Sequence, residues 1–389
     1  MIDIESLCNG IPVPEDVKHF LHTPSKGIVF GMDAVKQTGK EVASWGCKRA
    51  LLVTDPGIRK AGHAEKVADS LKQAGVEVFW YDKVRENPNT ADVNHCVEVA
   101  QAGNVDVIIG AGGGSSMDTA KGCNFIFTNG GSMQDYWGTN KATKPMLPFV
   151  AIPTTSGTGS ECQSYALIAD EITHVKMACG DKKAAAKLAI LDPMLTLSQP
   201  PSVTSHTGMD ALSHAVEAFV TNARTETSAA YAKLAYRLLS DSFARVLQQP
   251  KDLEARAKMQ LGAAAAGTAI ENSMLGAAHA CANPLTAQFH VVHGSAVAIM
   301  LPHVVRFNAE DPVIAELYKE LEPEGAEALA ERLTHFLHLA GMPVYLQDMG
   351  IFHESFPALA AAAVPQWTGR FNPRPVSEAE FVSLYEAAW

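Results

Sequence analysis

Long apolar runs are missing from this chain. No stretch approaches the ~20 consecutive apolar residues that a membrane-spanning helix needs. The first residues, Met1-Ile-Asp-Ile-Glu-Ser6, lack the basic and apolar regions of a secretory signal. Basic residues are scarce beside acidic ones. The 31 Lys and Arg against 42 Asp and Glu leave a net charge of -11, which argues against a nucleic-acid or anionic-membrane surface. Cys-x-x-Cys spacing is absent, and the seven cysteines (Cys8, Cys47, Cys96, Cys123, Cys162, Cys179, Cys281) are scattered and odd in number. That usage fits reduced thiols and not a disulfide framework, so a cytoplasmic protein without a membrane or nucleic-acid partner is expected. Internal repeats and low-complexity linkers are also absent.

What is present is an ordinary globular composition, 47% hydrophobic and 19% charged over 389 residues, long enough for two domains with large cores. Residues 1–25 carry Pro12, Pro14 and Pro24 without sustained periodicity and are expected to form an N-terminal arm or a short packed helix. From Gly27 the pattern alternates. Gly27–Phe30, Ala50–Asp55, Glu77–Tyr81, Val105–Gly110, Phe149–Pro153 and Leu188–Pro193 read as strands, with helical patterns between the early ones. Strands spaced by helices indicate βαβ units and a parallel sheet covered on both faces, a Rossmann-like α/β domain over residues 1–200. After Pro200-Pro201 the patterns Thr227–Leu247, Leu253–Ile270 and Val313–Ala340 are Ala- and Leu-rich, so residues 201–389 read as an all-helical domain. Two such bodies joined without a linker imply a cleft suited to a ligand.

The strand at Val105–Gly110 runs into Ala111-Gly112-Gly113-Gly114-Ser115-Ser116-Met117-Asp118. Consecutive glycines permit positive φ and close backbone approach, and the Ser115/Asp118 spacing of a capping box places a helix start at Ser116. A helix N-terminus fed by such a loop suits a phosphate. The segment is nevertheless neither Gly-x-Gly-x-x-Gly nor a P-loop, and a tight turn without a ligand explains it equally well.

In the second half, Met209, Leu212, Ala215, Val216 and Phe219 recur at helical spacing, so Asp210 and His214 share one face of a helix. A carboxylate and an imidazole aimed at one point suit a divalent first-row metal, with His279 and His293 as candidate third and fourth ligands. Taken alone, the Asp-x3-His pair is more often a surface hydrogen bond. The nearly uncharged stretch from Leu261 to Leu301 favours the metal, because buried histidines need partners. Pro284 is expected to break the helix carrying His279.

Thr207-Gly208-x-Asp210-Ala-Leu-x-His214-Ala-x-Glu217, with His279-x13-His293-Gly294 and Leu301-Pro302-His303-Val304, resembles the iron-dependent (group III) alcohol dehydrogenase family. The likeness runs from about Lys26 to Asn372-Pro373-Arg374-Pro375. It implies a metal site of Asp210, His214, His279 and His293 holding Fe2+ (or Zn2+). It also implies NAD on the glycine loop (Gly112, Gly113, Gly114, Ser115, Asp118), on the Thr154, Thr155 and Thr158 loop, and near Lys176. Asp55 would then face the adenosine ribose and favour NAD over NADP by repelling a 2′-phosphate. The activity implied is hydride transfer between NAD(H) and a small alcohol or aldehyde, with the metal as Lewis acid, in a homodimer or larger homo-oligomer.

Two positions depart from the family pattern, one of them Val292, where a proline usually precedes the last ligand. Asn283 stands where a second histidine four residues after the third ligand usually passes the alcohol proton outward. An amide does not titrate near neutrality. His290 is a candidate substitute, and Asn283 a candidate substrate contact. Two other readings share the fold: glycerol-dehydrogenase-like polyol oxidation, and a dehydroquinate-synthase-like lyase. The lyase needs Lys and Arg around the metal, and none occurs between Gln260 and Val305.

Overall fold

The computed structural model describes residues 27–389, so the expected arm at 1–25 lies outside the described residues. Nine strands occur among the described residues: β1 Gly27–Phe30, β2 Arg49–Val53, β3 Glu77–Tyr81, β4 Val107–Gly112, β5 Gly138–Thr139, β6 Phe149–Pro153, β7 Tyr165–Ala169, β8 Lys176–Gly180 and β9 Leu188–Leu191. Among the helices of this half are α1 Thr38–Ser44, α2 Pro56–Lys60, α3 His63–Gln73, α4 Thr90–Gly103 and α5 Gly114–Asn129. The later helices are α6 Pro201–Val220, α7 Glu226–Gln248, α8 Leu253–Glu271, α9 Ala277–Phe289, α10 His293–Asn308, α11 Pro312–Tyr318, α12 Ala326–Leu339, α13 Phe356–Ala363 and α14 Glu378–Ala387. The chain divides into two compact units. One ends at Thr155 and resumes over Ser160–Gln199; the other comprises Ser156–Gly159 and Pro200–Trp389.

In the first unit a six-stranded sheet has the order β1-β9-β6-β4-β2-β3, and every pairing in it is parallel. Side chains alternate between its faces. Leu51, Val53 and Ile108 join a core with Val93, Val97 and Met117, while Ala50, Leu52, Val107 and Ile109 join another with Val42, Val67 and Leu71. Burial on both faces is why these strands read as continuous apolar runs. The chain leaves β2 toward β3 on one side, then returns to place β4 on the other side of β2. The carboxyl ends of β2 and β4 therefore flank a topological switch point, the usual ligand crevice of an open α/β sheet.

Several expectations need correction, beginning with the strands read to Asp55 and Pro193, which end at Val53 and Leu191. β4 begins two residues later than expected and extends to Gly112, because Gly110, Ala111 and Gly112 pair with Ala151, Ile152 and Pro153. Helix α5 starts at Gly114, with Gly113 as an N-cap lacking a side-chain cap, so the Ser115/Asp118 capping box does not form. A small sheet β5-β8-β7, in which β7 and β8 pair antiparallel, has no counterpart in the alternation read from the sequence. The single pattern over Val313–Ala340 is two helices, α11 and α12, parted before Gly325, whose φ of 98° an L-residue resists.

In the second unit the buried α6 packs against α7, α8 and α10. Gly208 lets it do so, since a Cβ there would lie 2.5 Å from Phe243 Cε2. Arg256 is buried and satisfied, its Nη1 donating to Thr204 Oγ1 at 3.0 Å and its Nε to the Pro250 carbonyl at 2.9 Å. Among the described residues no helix is long and apolar enough to cross a membrane.

Candidate functional site

Two constellations stand out, one in each unit. In the first, β4 delivers Gly112 to the start of α5. Gly112 has φ 154°, and a Cβ built on it would fall 2.3 Å from Ser116 Oγ and 3.3 Å from Asp55 Oδ2. Glycine here lets Ser116 pack closely against the backbone at the end of β4. Gly113 faces Thr155, whose Oγ1 lies 3.7 Å from the corresponding built atom. Thr154 is tied to the same turn, its N–H donating to the Gly112 carbonyl at 2.9 Å. The hydroxyls of Ser116 and Thr154 are buried and lack a protein partner. Gly114 and Ser115 open α5, whose first-turn N–H groups have no side-chain cap. These features fit the phosphates of a dinucleotide.

Asp55 is the N-cap of α2, with Oδ1 accepting from Gly57 N at 2.8 Å and Ile58 N at 3.0 Å. Its other oxygen is the one beside Gly112. Asp118 points elsewhere. It is buried and accepts from Ser160 Oγ at 2.9 Å, and burial raises its carboxyl despite Lys121. Lys121, also buried, donates to the Ser160 carbonyl at 2.7 Å and to Ser160 Oγ at 2.8 Å, which ties the end of the Thr154–Gly159 loop to α5. Thr158 sits in the Ser156–Gly159 segment that groups with the second unit. Lys176 is exposed, with Nζ 3.3 Å from Asn87 Oδ1.

The second constellation is built on α6. Asp210 and His214 lie on one buried face, with His214 Nε2 3.4 Å from Asp210 Oδ1. His279, in the first turn of α9, brings Nε2 to 3.7 Å from the same oxygen. His293, the first residue of α10, brings its Nε2 to 3.9 Å. Ligand atoms of Asp210, His279 and His293 all lie within 4.8 Å of one another. His214 joins them through Asp210, and its ring stacks on His279 with centroids 5.0 Å apart. Gly294 permits the close packing of α10 on α6, since a Cβ there would lie 2.2 Å from the His206 carbonyl oxygen.

Electrostatics match this arrangement. Burial opposes charge on Asp210, but the surrounding histidines outweigh it and hold the carboxyl well below its usual range. Burial lowers His214 despite the neighbouring Asp210. On His279 burial is outweighed by Glu217 and Asp210, and the imidazole is raised to about 9. Asp210 Oδ1 and His279 Nε2 are buried without a hydrogen-bond partner. Orphaned polar atoms of this kind are costly unless another group satisfies them. One carboxylate with convergent imidazoles fits a divalent first-row cation.

Pro284 does not end the helix that carries His279. Helix α9 runs through it to Phe289, and the chain turns at His290, which caps the helix with φ 55°. A proline removes one amide donor and one i→i−4 bond, which a helix packed on α10 and α13 tolerates. His290 is exposed. Asn283 lies one turn beyond His279 on α9, where its Nδ2 donates to Gln366 Oε1 at 2.9 Å. Glu217 had no role in the sequence reading, and the structure places it on His279 Nδ1. The available signal was its spacing, three residues after His214 and seven after Asp210 on one helix face.

Comparison with known proteins identifies the family. Residues 24–193 match the model of iron-containing alcohol dehydrogenases, and residues 204–389 match that of the family's C-terminal region. The chain is 36% identical to alcohol dehydrogenase 4 of Schizosaccharomyces pombe over 92% of its length and 87% of the relative's. It is 35% identical to the NAD-dependent methanol dehydrogenase of Bacillus methanolicus, over 92% of this chain and 97% of that one. A crystal structure of a 1,3-propanediol oxidoreductase superposes with a TM-score of 0.88 at 33% identity, covering 93% of this chain and 97% of the other. With a parallel sheet, a helical second unit and a buried Asp–His cluster, the chain belongs to the iron-containing alcohol dehydrogenase family and is an alcohol-dehydrogenase-type oxidoreductase.

Proposed function

We propose that this enzyme transfers hydride between NAD(H) and a small alcohol/aldehyde pair, and that Asp210, His214, His279 and His293 hold the divalent ion, Fe2+ or Zn2+. The observation that carries the metal reading is that Asp210 Oδ1 and His279 Nε2, buried within one cluster of donors, lack a hydrogen-bond partner. When bound, the two groups supply Lewis acidity toward an alcohol oxygen and a hydride acceptor. Everything else falls to the chain.

Gly112, Gly113, Gly114 and Ser115 cradle the pyrophosphate, with Thr154, Thr155 and Thr158 beside it and Lys176 contributing charge. Asp118 works indirectly, through Ser160. The Asp55 carboxylate, fixed by its capping bonds, accepts from a ribose hydroxyl and disfavours a 2′-phosphate, which selects NAD. Asn283, held by Gln366, is the group we assign to shaping the substrate; its amide offers a donor and an acceptor. His290 is the weaker candidate for moving the alcohol proton, since it is exposed and serves as a helix cap. A homodimer or larger homo-oligomer completes the reading.

The test is direct. Protein reconstituted with ferrous ion should reduce NAD in the presence of short alcohols or diols, read as NADH absorbance. Chelation should abolish the signal. Full turnover by metal-free protein overturns the reading.

A further inference from the structure

Helix α9 begins without a cap of its own. Its N-cap is Gly276, which has no side chain, and a Cβ there would lie 2.9 Å from Asn372 Oδ1 and 3.0 Å from Glu217 Oε1. The first N–H groups of any helix lack intrahelical acceptors, and here two distant side chains accept them. Asn372 Oδ1 accepts from Ala277 N at 3.2 Å, and Glu217 Oε1 accepts from Ala278 N at 2.7 Å. Asn372 is itself fixed, its Nδ2 donating to Asn308 Oδ1 and to the Arg374 carbonyl, each at 2.7 Å. The very next residue of α9 is His279.

Glu217 has a second oxygen. Its Oε2 is hydrogen-bonded to His279 Nδ1, and the whole pair is buried. A carboxylate only accepts, so Nδ1 must carry the proton. The other nitrogen, Nε2, is the one facing Asp210. Glu217 thus sets both the position of the His279 backbone and the tautomer and rotation of its ring.

We propose that Glu217 is a positioning residue for the metal centre, holding His279 with Nδ1 protonated and Nε2 presented toward Asp210. This rests on the metal reading above. A purely structural role, capping α9, is the competing account, and the substitution Glu217→Gln separates the two. The amide oxygen that it introduces can still accept from Ala278 N–H, which preserves the cap. The NH2 group would then face Nδ1, where it can only donate. That moves the ring proton to Nε2 and removes the lone pair needed for a ligand.

The experiment uses the full-length, metal-free protein and its Glu217→Gln variant. Co2+ is titrated into each and followed by its visible absorption, with far-UV circular dichroism and thermal melting as controls for folding. The expected result is a Kd for Co2+ raised by about 10–100-fold, the usual range for loss of an outer partner of a ligating histidine, with a melting midpoint close to wild type. Equal Co2+ affinity in both proteins overturns the proposal while leaving the metal reading intact. A wild type that binds no Co2+ overturns both. Should the variant fail to fold, 15N-histidine NMR of the wild type decides, with His279 assigned by comparison with His279→Gln. The spectrum is taken on the Zn2+-loaded wild type, where the ring cannot be protonated on both nitrogens and still bind; a protonated Nδ1 supports the proposal, and a bare Nδ1 overturns it.

Discussion

Asn283 donates its Nδ2 to Gln366 Oε1 at 2.9 Å, and Gln366 in turn donates to the Ala362 carbonyl at 3.2 Å. An amide one helical turn beyond His279 is therefore oriented from a separate segment. If Asn283 replaces a proton relay, Asn283→His should raise the kcat of alcohol oxidation several-fold at pH 7, and less at high pH where hydroxide takes the proton. If the amide shapes the substrate, Asn283→His and Gln366→Ala should both raise KM and leave the pH profile of kcat unchanged. The side-by-side profiles, with His290→Ala as the third protein, decide between them.

The role in cofactor choice proposed for Asp55 can be tested by one substitution. Asp55→Asn keeps an oxygen for the cap of α2 and removes the charge, so the fold should survive with little loss. We expect the KM for NADP to fall by about tenfold, or 1.4 kcal/mol, while the KM for NAD changes much less. Equal shifts for both cofactors would leave Asp55 as a capping residue only.

Metal content is the next measurement. Asp210→Ala removes the oxygen shared by His214, His279 and His293. Reconstituted wild type should hold about one ion per chain, and the variant almost none by elemental analysis. Ferrous ion is expected to restore more activity than zinc to the chelated wild type. Retention of metal by Asp210→Ala would move the site elsewhere.

A pH effect on stability follows from Glu161, buried at the Ser160–Cys162 turn. Burial raises its carboxyl to about 7, with its own backbone and Lys121 opposing. The folded chain then binds this proton more tightly than the unfolded chain between about 4.5 and 7. Stability falls as pH rises through that window, and above it the full penalty of about 3 kcal/mol applies, at 1.36 kcal/mol per unit. Glu161→Gln should therefore raise the melting temperature at pH 8 and change it little at pH 4. A variant no more stable than wild type at pH 8 would falsify this account.

Gly112→Ala tests the proposed cofactor loop. The added methyl meets Ser116 Oγ and sits at a backbone angle that favours glycine. Loss of NAD affinity measured by calorimetry, with Co2+ binding unchanged, is the expected outcome.

Much of the fold is legible in local pattern. Short apolar runs mark the six strands of the large sheet, and the 3.6-residue period marks α6, α7 and α8, because both signals are carried by neighbours in sequence. The glycine run after β4 and the Asp210/His214 spacing are visible for the same reason. Short-range pattern misjudged the helix ends. Pro284 sits inside α9 because packing on α10 and α13 outweighs one lost hydrogen bond, and Gly113 serves as N-cap where Ser115 was expected.

Tertiary structure alone decided the pairings across long separations. Glu217 meets His279 across 62 residues, Lys121 meets Ser160 across 39, and Asn283 meets Gln366 across 83. The sequence by itself determined the strands of the large sheet and the long helices around Asp210, and which side chains are candidates for a metal or a phosphate. Which oxygen faces which nitrogen was set by the packing of α6, α9 and α10, because hydrogen bonds between distant segments have no period in the sequence to reveal them.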